Sequence, residues 1–335
     1  MFVARAPGKL VVLGEYAVLD GAPALVLALD RFAEVRLDAS PDADCHLTTR
    51  PPQAALRTFA PGEASGAKLL DLVIGGVAPP LAWRATIDST AFFEGADKLG
   101  LGSSAAVLCA WAGAFAAFAR AQGRRAPDPA LPELIGLHRA FQGGRGSGID
   151  VAAAFTGGAL SFRLLADSVP QVGSVRLPNS VGFAGIFAGR SASTPELVAH
   201  YRAWRQERPA QAAAMLRRLT EVAEAGCAAA RGDDAAAFMA SLAEYGRGLQ
   251  ALGEAIGASI VTAEHRQIGE HARKFGVAYK VSGAGGGDLG LACAIDSGAL
   301  AAFVQSVTDR GFRVIKVSPP KTGLNVEQRA PETMP

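Results

Sequence analysis

The sequence predicts an α+β protein of two domains, and three observations support this class. The 335 residues are about twice the length of an average domain. Half of them are apolar and only 19% are charged, which indicates a folded chain with a sizeable core. Short β-type segments alternate with helical ones, and the last elements run strand, loop, strand, helix, strand. That order closes a small α+β layer.

The chain opens with strands. Alternating apolar residues predict short strands over 3–6 and 9–13, and a strand pair or one long bent strand over 24–36. The segment 38–67 is rich in Pro, Asp and Ser, which is typical of loops between short strands.

Residues 105–119 form an uncharged, alanine-rich run that indicates a helix. The run is shorter than the roughly 20 residues that a membrane span needs, so we expect a buried core helix. Two glycines and two serines precede it directly, where the first turn of a helix needs capping. A second helix is predicted over 133–142.

The second half of the chain begins with strands and continues with a helical block. Its predicted elements are strands over 159–164 and 181–188, helices within 195–274, strands over 278–282 and 289–295, a helix over 298–310 and a strand over 312–317. We therefore place an N-terminal domain over 1–170 and a C-terminal domain over 171–335.

Composition excludes several classes of function. Lys and Arg number 33 and Asp and Glu 31, so the net charge of +2 is too small for a protein that holds nucleic acid by bulk charge. The four cysteines and five histidines show no spacing typical of a zinc site or a disulfide framework. The first residues lack the pattern of a secretion signal. We expect a reduced, cytoplasmic protein with no nucleic-acid partner and no membrane partner.

The first of three glycine-rich segments, Gly100-Leu-Gly-Ser-Ser, lies at the start of the alanine-rich helix. Backbone N–H groups and the positive end of a helix dipole suit an anion, so the segment is a candidate phosphate cradle. It matches G-x-G-x-x-A, but neither the buried strand before it nor the acidic residue after it that a dinucleotide site requires is present. A helix cap without a ligand is the alternative.

The second segment, residues 283–287, lies between two strands and has four glycines in five positions. So many glycines indicate that another group approaches the backbone closely. A second set of N–H groups could bind a polyphosphate there, with Lys280 adding a charge and Ser282 a hydroxyl. A flexible hairpin loop is the alternative.

The third segment, Gly146-Ser-Gly-Ile-Asp150, leads into an apolar run. An unpaired carboxylate is costly there, so Asp150 should have a cationic partner, for which Lys9 is the best candidate. A lysine and an aspartate beside a polyphosphate suit phosphoryl transfer. A buried structural ion pair is equally compatible with the spacing.

Three ordered motifs resemble those of the GHMP kinases, the superfamily of galactokinase, homoserine kinase, mevalonate kinase and phosphomevalonate kinase. They are PGKLVVLGEYAVL at 7–19, KLGLGSSAA at 98–106 and KVSGAGGGD at 280–288. The resemblance implies an N-terminal domain like ribosomal protein S5 domain 2, a ferredoxin-like C-terminal domain, and ATP with Mg²⁺ as cofactors between the two domains.

The resemblance also implies roles for single residues. Lys9 and Asp150 would be catalytic, and Ser104 would hold Mg²⁺. ATP would contact Lys98, Gly100, Leu101, Gly102, Ser103, Ser104 and Ala105. The acceptor side would be formed by Ser147, Gly148, Lys280, Ser282, Gly283, Ala284, Gly285, Gly286 and Asp288.

Some details resemble the phosphomevalonate kinase branch. The residues around Asp150 read GSGIDV, the third motif ends in Asp288, and the turn Gly189-Arg190-Ser191-Ala-Ser193-Thr194 is rich in donors suited to a phosphorylated acceptor. An ordinary helix cap is the alternative for that turn. Ile149 is the choice of mevalonate kinases, and the upstream Glu that many members use for Mg²⁺ is absent from 138–142.

These features predict an ATP-dependent kinase that phosphorylates a small anionic acceptor, (R)-5-phosphomevalonate, to the diphosphate. We expect the protein to be a monomer or a homodimer. A mevalonate kinase and a catalytically silent ligand sensor on the same fold remain alternatives. A decarboxylase of the superfamily is disfavoured, because its third motif lacks this loop.

Overall fold

The computed structural model describes residues 1–50, 54–75, 80–144, 146–165, 169–189 and 194–330. Contacts divide the chain into two compact units, each discontinuous in sequence. Unit 1 contains Met1–Lys9, Ala28–Gly158 and Pro319–Pro335, and unit 2 contains Leu10–Leu27 and Ala159–Ser318. The strands β1 (Phe2–Leu13) and β2 (Ala24–Ala39) contribute residues to both units. The single boundary at residue 170 stays a prediction.

Unit 1 combines a sheet with helices. Besides its parts of β1 and β2 it contains β3 (Cys45–Arg50), β4 (Ala55–Phe59), α1 (Lys68–Ile74), β5 (Trp83–Asp88), a 3₁₀ turn (Thr90–Phe92), β6 (Phe93–Glu94), β7 (Asp97–Lys98), α2 (Ser103–Ala121), α3 (Leu131–Phe141), α4 (Ile149–Thr156) and β14 (Asn325–Gln328).

The strands of unit 1 pair in the order β14-β1-β2-β5-β3-β4, while β6 and β7 form a separate hairpin. β3 and β5 are parallel, whereas β2 with β5 and β3 with β4 are antiparallel.

The helix α2 is buried along most of its length. Its Trp111 packs edge-on against Trp83 of β5 at 5.2 Å and donates a hydrogen bond to the carbonyl of Leu70. Among the described residues, α2 alone is long and apolar enough to cross a membrane, and 72% of that stretch is buried, as in a core helix.

Unit 2 begins with the second part of β1, a 3₁₀ turn (Ala17–Asp20) and the start of β2. Its other elements are β8 (Ala159–Leu164), β9 (Pro170–Ser174), β10 (Gly182–Phe187), α5 (Thr194–Glu207), α6 (Pro209–Arg231), α7 (Ala235–Ala255), α8 (Ala263–Arg273), β11 (Ala278–Ser282), β12 (Leu289–Ala294), α9 (Ser297–Asp309) and β13 (Arg313–Lys316).

A four-stranded antiparallel sheet in the order β11-β12-β10-β13 organises unit 2. Numbered along the chain this order is 2-3-1-4, the ferredoxin-like arrangement. On one face Ile268 of α8 and Phe303 of α9 join a buried cluster with Ile186 of β10. On the other face Phe183 of β10 meets Phe238 of α7 edge-on. The predicted α+β class and ferredoxin-like layer are therefore confirmed.

Several elements differ from the sequence prediction. The two short strands expected at the start are one continuous strand, β1, which runs through Pro7 and Gly8. Proline is compatible with an extended backbone, and Gly8 lacks a side chain where Leu101 lies close. A Cβ atom at Gly8 would lie 2.9 Å from the carbonyl oxygen of Leu101. No element was predicted at seven short ones, namely α1, α4, β5, β6, β7, β9 and β14. Runs this short do not distinguish helix, strand and loop by their apolar pattern.

Candidate active site

The predicted phosphate cradle lies in unit 1 at the N-terminus of α2. Gly100 and Gly102 have φ angles of 70° and 80°, a left-handed conformation that favours glycine. Gly102 is the N-cap residue and has no side chain to cap the first turn. The N-terminal N–H groups of α2 are thus arranged as in an anion site.

The side chains around this loop differ in how a ligand could use them. Leu101, Ser103 and Ala105 are buried, so only their backbone is suited to contact a nucleotide. Ser104 is half-buried and carries a hydroxyl, whereas Lys98 on β7 is exposed.

Lys9 and Asp150 come together at Gly102. A Cβ atom built on Gly102 would lie 3.0 Å from Cγ of Lys9 and 3.6 Å from Cβ of Asp150. The Lys9 ammonium donates to the carbonyl of Gly100 at 3.2 Å, and the Lys9 N–H donates to the carbonyl of Leu101 at 2.9 Å. Tertiary structure therefore assembles a cation, a carboxylate and a helix N-terminus from three distant segments.

Asp150 is held at the start of α4. Its Oδ1 accepts the N–H of Val151 at 3.0 Å, and the side chain stays 20% exposed. The preceding turn is fixed by Arg139, which donates to the carbonyls of Gly146 and Ser147 at 3.1 Å each. The carboxylate is therefore accessible on a fixed backbone.

The loop residues Ser147 and Gly148 are buried, with limited room for an acceptor. The Ser147 hydroxyl accepts the N–H of Ile149 at 3.3 Å. Gly148 has a φ angle of 86°, and a Cβ there would lie 2.7 Å from Ile135. Their role in acceptor binding stays a prediction.

His138 of α3 links two residues that the sequence analysis treated separately. Its Nε2 lies 3.0 Å from the hydroxyl oxygen of Ser104, and its Nδ1 lies 3.7 Å from Oδ2 of Asp150. The imidazole is 1% exposed. His138 has no signature in the sequence, because it belongs to no histidine cluster.

Cys109 of α2 carries a buried thiol that interacts electrostatically with Asp150. Burial, and then the negative charge of Asp150, raise the pKa of Cys109 well above its ordinary value. Its Sγ donates to the carbonyl of Val151 at 3.9 Å. The four cysteines, at 45, 109, 227 and 293, are all free and buried.

The third motif lies in unit 2, where two of its predicted ligand residues have other partners. Lys280 is 4% exposed and pairs with Glu15 at 2.5 Å. Ser282 is 5% exposed, and its hydroxyl donates to the carbonyl of Val11 and accepts the N–H of the same residue. Both side chains have partners inside the unit, and their assignment to acceptor binding stays a prediction.

The glycine loop 283–287 is explained in part by a close approach within unit 2. A Cβ at Gly285 would lie 2.3 Å from the carbonyl oxygen of Ile260, which accepts the N–H of Gly286 at 2.9 Å. The hydroxyl of Tyr16 donates to the carbonyl of Ala284 at 2.6 Å. Another part of the chain therefore approaches this backbone, and the assignment of Gly283, Ala284, Gly285 and Gly286 to acceptor binding stays a prediction.

Asp288 and the donor-rich turn complete the predicted acceptor side. Asp288 follows the loop, and its carbonyl accepts the N–H of Ala188 at 2.9 Å. Arg190, Ser191 and Ser193 lie outside the described residues. Thr194 is exposed at the first position of α5.

The donor set fits a magnesium ion that arrives with a nucleotide. Among the described residues no group of three or more His, Cys, Asp or Glu side chains could hold a metal. Mg²⁺ in phosphoryl-transfer sites uses phosphate oxygens, waters and only one or two protein oxygens. The Ser104 hydroxyl and the Asp150 carboxylate, linked by His138, are of that type.

The chain is similar to known proteins in sequence and in fold. No family model matches the sequence. The chain is 28% identical to phosphomevalonate kinase of Streptomyces sp. (strain CL190), over 87% of this chain and 89% of that protein.

Solved structures show the same fold. The Lin0012 protein of Listeria innocua aligns with a TM-score of 0.83 and 23% identity, covering 98% of this chain and 99% of that one. Streptococcus pneumoniae phosphomevalonate kinase, in complex with phosphomevalonate and AMPPNP, aligns with a TM-score of 0.77 and 19% identity, covering 96% and 100%. This chain has the fold of these solved structures, and in sequence it resembles phosphomevalonate kinase.

Proposed function

We propose that this chain transfers the γ-phosphoryl group of ATP to the 5-phosphate of (R)-5-phosphomevalonate, giving the diphosphate. The observation that carries the proposal is the convergence of Lys9, Asp150 and the N-terminus of α2 on Gly102. A cation, a carboxylate and backbone donors are the groups that phosphoryl transfer uses. The similarity to phosphomevalonate kinase in sequence and in fold supports this acceptor.

Each residue has a role that follows from its position. The first-turn N–H groups of α2 bind the phosphates of ATP, and Ser104 holds Mg²⁺. Mg²⁺ held there would supply positive charge that offsets the charge of the phosphates. Lys9 offsets the negative charge that develops on the transferred group.

The role of Asp150 depends on the acceptor. A phosphate acceptor is already ionised near neutral pH, so the carboxylate has little proton to remove and instead orients Lys9 and the acceptor. Asp150 and Lys9 both lie beside Gly102. This arrangement also suits a hydroxyl acceptor, for which Asp150 would act as the base. A mevalonate kinase is therefore the second candidate.

A coupled assay of ADP release separates the candidates. We expect release with MgATP and (R)-5-phosphomevalonate and none with (R)-mevalonate. Release with mevalonate alone overturns the proposal in favour of the second candidate. No release with any acceptor of the superfamily favours a catalytically silent ligand sensor.

Substitution of Asp150 gives a second test of the acceptor. With a phosphate acceptor, Asp150→Asn removes a charge that orients the reactants but does not remove a catalytic base. The loss of activity should therefore be smaller than with a hydroxyl acceptor. With a hydroxyl acceptor the same change removes general-base catalysis, which contributes about 10²- to 10⁴-fold. Circular dichroism checks that the variant is folded.

A further inference from the structure

We propose that His138 is a positioning residue that fixes the proton of the Ser104 hydroxyl, so that the oxygen of Ser104 presents its lone pairs to Mg²⁺. The inference rests on the proposed function, because Ser104 is the metal-binding hydroxyl there. Its basis is the chain from Ser104 Oγ to His138 Nε2 at 3.0 Å and from His138 Nδ1 to Asp150 Oδ2 at 3.7 Å.

The surroundings of the ring select one tautomer. An ionised carboxylate accepts hydrogen bonds and donates none, so the negative charge of Asp150 favours a proton on Nδ1 of His138. The opposite nitrogen, Nε2, is then an acceptor. The hydroxyl of Ser104, 3.0 Å away, therefore donates to it.

This direction of the hydrogen bond matters for a cation. A hydroxyl binds a metal ion through oxygen lone pairs, and a proton turned toward the ion opposes binding. With the proton of Ser104 directed into His138, the lone pairs face away from the ring. Partners of this kind orient metal ligands in many proteins.

The fold also restricts rotation of the imidazole. His138 is 1% exposed on α3, and its ring stacks on Phe141 one turn later, with centroids 6.3 Å apart and an interplanar angle of 27°. The next residue, Arg139, clamps the turn before Asp150. A ring held on this scaffold keeps its two nitrogens aimed at Ser104 and Asp150.

Three substitutions of His138 distinguish this role from packing. Gln places an amide oxygen near the position of Nε2 and can accept from Ser104. Asn places its amide near Nδ1 and cannot reach Ser104, while Leu fills the space without polar atoms. The matched control is His271→Gln, since Nε2 of His271 lies 2.8 Å from the hydroxyl of Ser306 in unit 2 and belongs to no proposed catalytic group.

The main readout is binding and needs no turnover. Calorimetry measures the affinity for AMPPNP with Mg²⁺ and with EDTA, and the ratio gives the enhancement by Mg²⁺. We expect His138→Leu and His138→Asn to lower this enhancement by roughly 10- to 100-fold. His138→Gln should retain most of the enhancement, and His271→Gln should leave it unchanged.

Kinetics and a double substitution complete the test. The kcat should fall in parallel while KM for the acceptor changes little. Because His138 acts through Ser104, His138→Leu should have no further effect on the enhancement in a Ser104→Ala background.

The proposal is overturned if His138→Leu or His138→Asn keeps the enhancement of AMPPNP affinity by Mg²⁺. It is also overturned if the Gln and Leu variants lose this enhancement equally. If His138→Leu does not fold, the Gln and Asn pair decides. Should no acceptor be turned over, the proposed function fails while the binding ratio still tests His138.

Discussion

Glu15 and Lys280 form a buried ion pair in unit 2, with 2.5 Å between Oε1 and Nζ and each side chain 2% exposed. The N–H of Gly283 donates to the same Oε1 at 3.3 Å, while Oε2 has no hydrogen-bond partner among the described residues. The pair joins the segment that follows β1 to β11, the strand that leads into the glycine loop. Its removal should therefore loosen that loop.

Loss of one partner of this pair should destabilise the protein strongly. Lys280→Met leaves the Glu15 carboxylate buried without a cation, which costs about 3–5 kcal/mol of unfolding free energy. Urea denaturation measures the loss. The control is Arg163→Gln, which breaks an exposed pair with Glu224 and should cost below about 1 kcal/mol. Equal effects of the two substitutions would contradict a structural role for Lys280.

Gly102→Ala should reduce catalysis more than stability. A methyl group there would lie 3.0 Å from Cγ of Lys9, so the Lys9 side chain must shift, whereas 3.6 Å from Cβ of Asp150 is an ordinary contact distance. The matched control is Gly123→Ala beyond the C-terminus of α2, where φ is +72° and nothing lies within 4 Å of the new atom. Both changes carry a backbone cost of about 1–2 kcal/mol. We expect only Gly102→Ala to lower kcat, and a matching decrease in the control would refute the steric explanation.

Lys9→Met should abolish most turnover while nucleotide still binds. In the proposed function the ammonium stabilises charge that develops during transfer, so its loss should lower kcat by roughly 10²- to 10³-fold. Calorimetry with AMPPNP checks that binding persists. Lys68→Met, an exposed lysine at the start of α1, should leave the rate unchanged. A near-normal rate for Lys9→Met would remove Lys9 from the mechanism.

His265 should make stability fall with acidification. Burial lowers its pKa from 6.5 to about 4. Its Nδ1 lies 2.8 Å from the hydroxyl of Tyr279, and its Nε2 has no partner within the described part of the chain. Below pH 6.5 His265 is protonated in the unfolded chain, whereas in the folded state it stays neutral until about pH 4. The free energy of unfolding therefore decreases as the pH falls through this range.

This linkage predicts a loss of about 2 kcal/mol between pH 7 and pH 5 from His265 alone. Urea denaturation at the two pH values measures it. His265→Gln removes the titrating group, so the variant should lose less stability over the same interval. An identical loss in the wild-type protein and the variant would show that His265 is not the cause.

Local patterns in the sequence determined much of the framework. The alanine-rich run with its Gly-Leu-Gly-Ser-Ser start predicted α2 and the loop before it, because helix periodicity and caps depend on neighbouring residues. The final order of strands and helix predicted the layer of β11, β12, α9 and β13. The same kind of evidence singled out Lys9, Asp150 and Lys280 as chemically unusual.

Only the tertiary structure decided which of these residues are neighbours. Lys9 and Asp150 share the space beside Gly102, whereas Lys280 is bonded to Glu15 and Gly285 packs on the carbonyl of Ile260. The position of His138 between Ser104 and Asp150 likewise had no signature in the sequence. Such contacts join residues remote along the chain, so they follow from the packing of whole elements and cannot be read from any one segment.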